Sequence, residues 1–384
     1  MANTLTNLQP DLYNALDIVS RELVGFIPAV TLDAADERAA KDQTIRVPIT
    51  PASSASDITP GVTAPNSGDQ TLSNTTITIS KSRSVPFRWN GEEQKGINTG
   101  PGYQNLKVQQ IAQAMRTLCN EVEGDIANLY KRASRAYGTA ATAPFGSTPA
   151  LGDAANVRRI LVDNGCPEND IQLVVDTAAG VNLRSLTQLT KANEAGGDSF
   201  LRQGVMLPIF GMEIRESAQV KQHTKGTGTG YQLNNGAGYA VGSTTIAVDT
   251  GSGTIVAGDI LTNTQGSVDP NNKYVVGTAL SAGSLAINSP GNRVAWVDND
   301  TVAVGNSYRA NFCFHRSAVV LVARPPALPE EGDMADDRMM ITDPRSGLTF
   351  EVSLYKQYRQ VYYEVALAWG VACIKPEHAA ILLG

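Results

Sequence analysis

Between Gly226 and Ser307 the chain carries no glutamate and only seven charged side chains, in a stretch rich in Gly, Ser, Thr, Asn and Val. Long helical patterns precede this stretch, and mixed sequence resumes at about Tyr308. A composition shift flanked on both sides by the same kind of protein reads as one domain inserted into another. Inside it, 243–248, 259–261, 273–276, 284–287 and 301–304 are short strand candidates. Clusters of Gly or Asn/Asp separate them, as a small barrel or sandwich requires. The insert therefore reads as all-β and its host as α+β.

The host's strongest signal lies at 103–137. Ile111, Met115, Leu118, Val122, Ile126, Leu129 and Ala133 recur at steps of three and four, which places them on one stripe of a helix. Gly124 is the weak point, costing about 1 kcal/mol against Ala, and Gly138 stands where a C-cap belongs. A helix of that length runs roughly 45–50 Å and can act as the spine of a flattened domain.

Elsewhere, Leu12, Leu16, Val19 and Leu23 share one helical face, with Asp11 as N-cap and Gly25 and Pro28 as stops. This helix packs either on its own domain or, as an arm, on a neighbour. Residues 45–50 read as a strand. A long polar excursion follows, punctuated by Pro51, Pro60, Gly61, Pro65 and Gly68, and a returning strand occupies 75–80. Extended segments of this kind serve binding or lie loose on the surface. Helices at 154–164 and 181–192 bracket a buried strand at 171–175. Residues 209–214 read as a strand with Gly211 in its middle, 317–323 as an apolar strand, and 349–369 as further strands.

Composition narrows the function classes. Hydrophobic residues make up 42% and charged residues 18%, which is globular, and the net charge of −6 argues against gripping nucleic acid over a large surface. The start lacks a basic stretch followed by an apolar run, so no signal peptide is expected, and no segment approaches a membrane span. Cys119, Cys166, Cys313 and Cys373 lack paired spacing and read as reduced, packed thiols in a cytoplasm-like compartment.

No catalytic, cofactor-binding or metal-binding residues are assigned. The Gly226-Thr227-Gly228-Thr229-Gly230 run lacks the Gly-Lys-Ser/Thr ending of a phosphate loop and reads as a flexible hinge at the domain entry. Cys313 with His315, and Cys373 with His378, lack the spacing of structural zinc knuckles. The three histidines (His223, His315 and His378) leave few bases for nucleophile chemistry, and no Gly-x-Ser-x-Gly elbow is present. Asp336 and Asp337 lie in an acidic loop. Arg83, Arg88, Arg158, Arg159, Arg202, Arg215 and Arg316 are dispersed and read as surface ion pairs. In an assembly some would reach Glu92, Glu93, Glu330 or Glu331 of neighbours.

Several short runs carry a family resemblance. Asp198-Ser199-Phe200-Leu201-Arg202-Gln203-Gly204-Val205, then Ile209-Phe210-Gly211-Met212-Glu213-Ile214-Arg215-Glu216-Ser217, resemble the turn and apolar strand of tailed-bacteriophage major capsid proteins. Phe314-His315-Arg316-Ser317-Ala318 and the apolar run after it are similar to the strand by which those proteins return from an insertion. Ala368-Trp369-Gly370-Val371, with Lys375-Pro376-Glu377 after it, looks like their last strand and C-terminal tail. The closest likeness is to short-tailed-phage coat proteins that carry an inserted β-domain.

The resemblance covers the order of elements along the whole chain. It implies an N-terminal arm at 1–44, an extended loop at 45–100 and a spine helix of the peripheral domain at 101–140. It also implies a first part of an axial α/β lobe at 141–225, the inserted β-domain at 226–307, and return strands with a tail at 308–384. The implied function is a non-enzymatic shell subunit without cofactors. It forms hexamers and pentamers of an icosahedral virion assembled in the host cytoplasm, with a scaffolding protein, a portal and double-stranded DNA nearby but not sequence-specifically bound. The acidic balance suits a wall along which DNA moves without sticking. The alternatives left open are an encapsulin-like compartment shell and, from another class, a hydrolase with a carbohydrate-binding β-module.

Overall fold

The computed structural model describes residues 24–34, 37–50, 53, 55–63, 68–97, 103–146, 150–190, 208–264, 269, 272–342 and 346–384. The expected helix around Leu12 to Leu23 and the run from Asp198 to Val205, Arg202 included, lie outside the described residues.

In chain order the strands are β1 (Thr31–Ala34), β2 (Thr44–Ile49), β3 (Ser73–Thr78), β4 (Lys81–Asn90), β5 (Arg135–Tyr137), β6 (Ile171–Val175), β7 (Met212–Glu216), β8 (Gln222–His223), β9 (Tyr231–Leu233) and β10 (Thr245–Asp249). They continue as β11 (Ile260–Asn263), β12 (Lys273–Ser281), β13 (Ser284–Ile287), β14 (Thr301–Val304), β15 (Tyr308–His315), β16 (Val319–Arg324), β17 (Asp337–Thr342), β18 (Thr349–Gln357), β19 (Gln360–Cys373) and β20 (Ala379–Leu383). The helices are α1 (Gly91–Ile97), α2 (Tyr103–Ala127), α3 (Gly152–Asp163), α4 (Thr177–Ser185) and α5 (Thr187–Thr190).

One sheet is built on β19, whose fourteen residues pair with β4 along one edge and with β18 and then β16 along the other. Its order is β1-β16-β19-β18-β17. Helix α2 lies on one face, burying Ile111, Met115, Leu118, Val122 and Ile126 against Val365, Leu367 and Trp369. Phe312 and Phe314 of β15 belong to the same buried cluster, so one core joins this sheet to the second.

The second sheet runs β7-β6-β15-β20-β5 through the host, with α3 packed over β20 and β5. It continues by hydrogen bonding from β5 into β12. From there β12-β13-β10-β9-β14-β11 pair in sequence, and β11 returns to β12, so six strands close into a ring. Tyr274, Trp296, Leu261 and Val276 fill it. The stretch 226–307 is thus all-β, and it shares a ladder with its host, Lys273 opposite Ala136 and Tyr274 opposite Arg135.

Six readings need correction. The apolar stripe of α2 is buried as its spacing requires, but the helix ends at Ala127 and is roughly 38 Å long. A 3-10 turn at Asn128–Arg132 follows and turns Tyr130 inward, and the chain then enters β5. Gly138 therefore ends a strand; its φ is +103° and a Cβ there would meet the Leu383 carbonyl at 3.0 Å. The span 45–100 is only partly an extended loop, because Lys81–Asn90 is an integral sheet strand.

The helix expected at 181–192 begins at Thr177, where the Asp176 carboxylate accepts from the Ala179 amide, and it breaks at extended Leu186. Gly211 is in a tight turn, not within a strand. Phe210 and Gly211 both have positive φ, and Ile209 and Met212 exchange amide–carbonyl bonds across them, the pattern of a primed hairpin turn. The expected C-terminal tail is β20, an entirely buried strand between β15 and β5, because Ala-Ala-Ile-Leu-Leu has nothing to offer water.

Candidate assembly surfaces

β2 and β3 form a two-stranded arm joined to no other strand among the described residues, with Thr44 opposite Thr78 and Ile49 opposite Ser73. Pro48 lacks an amide donor and is tolerated because such a ribbon has free edges. At the arm's root Ile77 and Ile79 are buried against Ala39, Val320, Val322 and Ala368. Gly370 makes that root possible, since a Cβ there would come within 2.2 Å of the Thr78 carbonyl oxygen. The Ala-Trp-Gly-Val run noted in the sequence is therefore the seat of the arm. Toward the tip the packing stops: Ile58 and Val62 are fully exposed and Leu72 largely so.

A buried carboxylate holds the chain before β1. Glu123 on α2 accepts from the Phe26 and Ile27 amides at 2.8 Å each and from the Ser217 hydroxyl at 2.9 Å. Burial pushes its pKa up to about 7, against the hydrogen bonds from Ile27, Ser217 and Phe26, which pull it down. Gly25 lets this segment lie against Glu216 and Ser217, where a Cβ would stand 2.6 Å from a carbonyl oxygen. Arg316 ties the same segment from the far side through the Pro28 carbonyl at 2.8 Å.

The entry to the six-strand ring is rigid. The expected hinge at Gly226-Thr227-Gly228-Thr229-Gly230 runs hydrogen-bonded along 252–254, with Gly228 donating to Thr254 at 2.8 Å. A Cβ at Gly226 would lie 2.1 Å from the Thr254 carbonyl, so glycine here permits close approach of two backbones, not flexibility. Beneath it the Tyr130 hydroxyl meets His223 Nδ1 at 2.8 Å, and His223 Nε2 meets Asp259 at 2.8 Å. Asp259 also accepts from the Gly226 and Val256 amides. On the opposite side of the seam Arg135 donates to Asn272 and Asn164, and Asp269 accepts from Asn272, Tyr274 and Trp296. Asp259, Asp269 and Asp300 are all buried, so three of the segment's seven charges hold its interior together and its outer surface is nearly uncharged.

Of the four candidate metal ligands the structure brings His315 and His378 together, with ring centroids 6.2 Å apart, but not in a set that could hold a metal. Cys313 lies beside the Met212 sulfur at 4.0 Å, and among the described residues no group of three His, Cys, Asp or Glu side chains is arranged for a metal. Burial raises the Cys166 thiol to about 11 and the Cys373 thiol to about 12, which keeps both protonated and unreactive at neutral pH. Arg83, Arg158 and Arg215 pair within the chain, with Glu121 at 3.4 Å, Glu168 at 3.0 Å and Glu213 at 2.7 Å.

No protein-family model and no curated protein matches this sequence. Solved structures do match in overall path. The capsid of cyanophage P-SCSP1u is similar at 14% identity and a TM-score of 0.49, covering 94% of this chain and 88% of that one. A Mycobacterium phage Che8 structure is similar at 13% and 0.48, covering 94% and 91%. A virus-like particle from Pyrococcus furiosus is similar at 11% and 0.45, covering 98% and 99%.

Proposed function

We propose that this chain is a major capsid protein of the tailed-phage type, with the six-strand ring as its inserted β-domain. Copies associate as hexamers and pentamers that close into an icosahedral shell around double-stranded DNA. A scaffolding protein and a portal act during assembly in the host cell, and the chain itself breaks no bond. The observation that carries the reading is the β2–β3 arm. A ribbon that leaves its own body and ends in exposed Ile58, Val62 and Leu72 is stabilised when another copy covers those side chains. The acidic net charge and the short motifs at Gly211, His315 and Gly370 support the same reading.

Sedimentation velocity of the recombinant chain, alone and with the candidate scaffolding protein, tests it. Capsomer-sized or larger species are expected. A monomer under both conditions would remove the shell reading.

A further inference from the structure

The chain passes twice between its two sheets at one place. Residues of the 3-10 turn Arg316–Ala318 carry it from β15 to β16, and 374–378, including the 3-10 turn Pro376–His378, carry it back from β19 to β20. The two passages lie side by side, with the Ile374 amide donating to the Ala318 carbonyl at 2.8 Å and Val319 paired with Cys373. A histidine stands at each passage, His315 capping the first turn from the end of β15 and His378 within the second, and their rings meet edge to face with centroids 6.2 Å apart.

The two rings leave complementary nitrogens unused. His315 Nδ1 accepts from the Ser317 amide at 3.2 Å, so neutral His315 carries its proton on Nε2. That Nε2 is buried without a partner, and so is Nδ1 of His378. With the His378 proton on Nε2, the two touching rings carry one buried donor and one buried acceptor, which a single bridging water can serve. A proton added to His378 Nδ1 turns the acceptor into a second donor and places positive charge in a confined space.

We propose that His315 and His378 form an acid-sensitive latch that holds the two inter-sheet passages together when neutral and releases them when protonated. The charged groups around the pair set its sense. Burial lowers the His378 pKa; Glu377 on its own turn opposes this, and Lys375 and His315 add to it. Asp170 faces the other passage, its carbonyl accepting from the Arg316 amide, and Arg132 lies within electrostatic reach of Cys373. Because the folded value lies below the unfolded one of 6.5, the contribution is complete above that pH and is lost as pH falls through the folded value. The latch belongs to the subunit and operates whether or not copies of the chain form a shell.

The test uses the full chain labelled at its three histidines, with His315→Gln and His378→Gln assigning the NMR signals. His378 is expected to titrate below free histidine. Protection of the Ile374 amide, corrected for intrinsic exchange, is expected to fall about tenfold or more between about pH 7.5 and 5. In His378→Gln that fall disappears. An equal fall in the variant overturns the latch. So does an ordinary histidine titration of His378 in the wild type, and that second result decides the matter even if the variant does not fold.

Discussion

Glu123 shows how a single residue carries a pH dependence that its sequence position hides. Its folded pKa of about 7 lies above the ordinary 4.5, so its contribution to stability is complete below about pH 4.5 and is lost as pH rises through 7. Comparing wild type with Glu123→Gln by denaturant unfolding isolates this term. The wild type should lose on the order of 3 kcal/mol relative to the variant between those limits; a pH-independent difference would show that the carboxyl does not titrate there. Gly370→Val makes a second residue-scale test. The new side chain collides with the Thr78 carbonyl, so the arm root should loosen at a cost of about 1–3 kcal/mol, read as a lower melting temperature and faster proteolysis within 50–72. Neither role was legible from sequence. Glu123 sits 97 residues from Phe26, and a glycine reads the same whether it serves a turn or a backbone crossing.

At the scale of elements, what periodicity alone determines was readable. β6 follows from a five-residue run whose only polar member is Gln172, and the buried stripe of α2 follows from its three–four spacing. The end of α2 was not readable. Leu129 and Ala133 keep the helical phase, yet β5 finds better partners in β20 and β12, which lie far along the chain. The Gly-Thr run was misread for the same reason, since its neighbour 252–254 is remote in sequence. Gly226→Ala should therefore destabilise the ring by about 1–3 kcal/mol, whereas a true hinge would tolerate alanine; thermal unfolding distinguishes the two. Asp259→Ala strips three donors of their acceptor and should cost about 3–5 kcal/mol. Loss of the near-ultraviolet signal of Trp296 at a lower temperature than the rest of the chain would locate the damage in the ring.

For the whole molecule, the two sheets share one core around α2, and the six-strand ring extends the second sheet instead of hanging from it. The β2–β3 arm carries an exposed apolar tip that no other described residue of the chain covers. Replacing 50–72 by an Asn-Gly turn should leave the melting temperature within a few degrees of wild type and abolish assembly, because the root packing at Ile77 and Ile79 is kept and the tip is lost. Sedimentation velocity of the shortened chain reads that outcome, and undiminished assembly would show that the arm is dispensable. The central claim is tested most directly by negative-stain electron microscopy of the full chain's fast-sedimenting fraction, prepared with and without scaffold. The account predicts closed icosahedral shells, or capsomer rings that become shells when scaffold is added. A monodisperse monomer under every condition would contradict it.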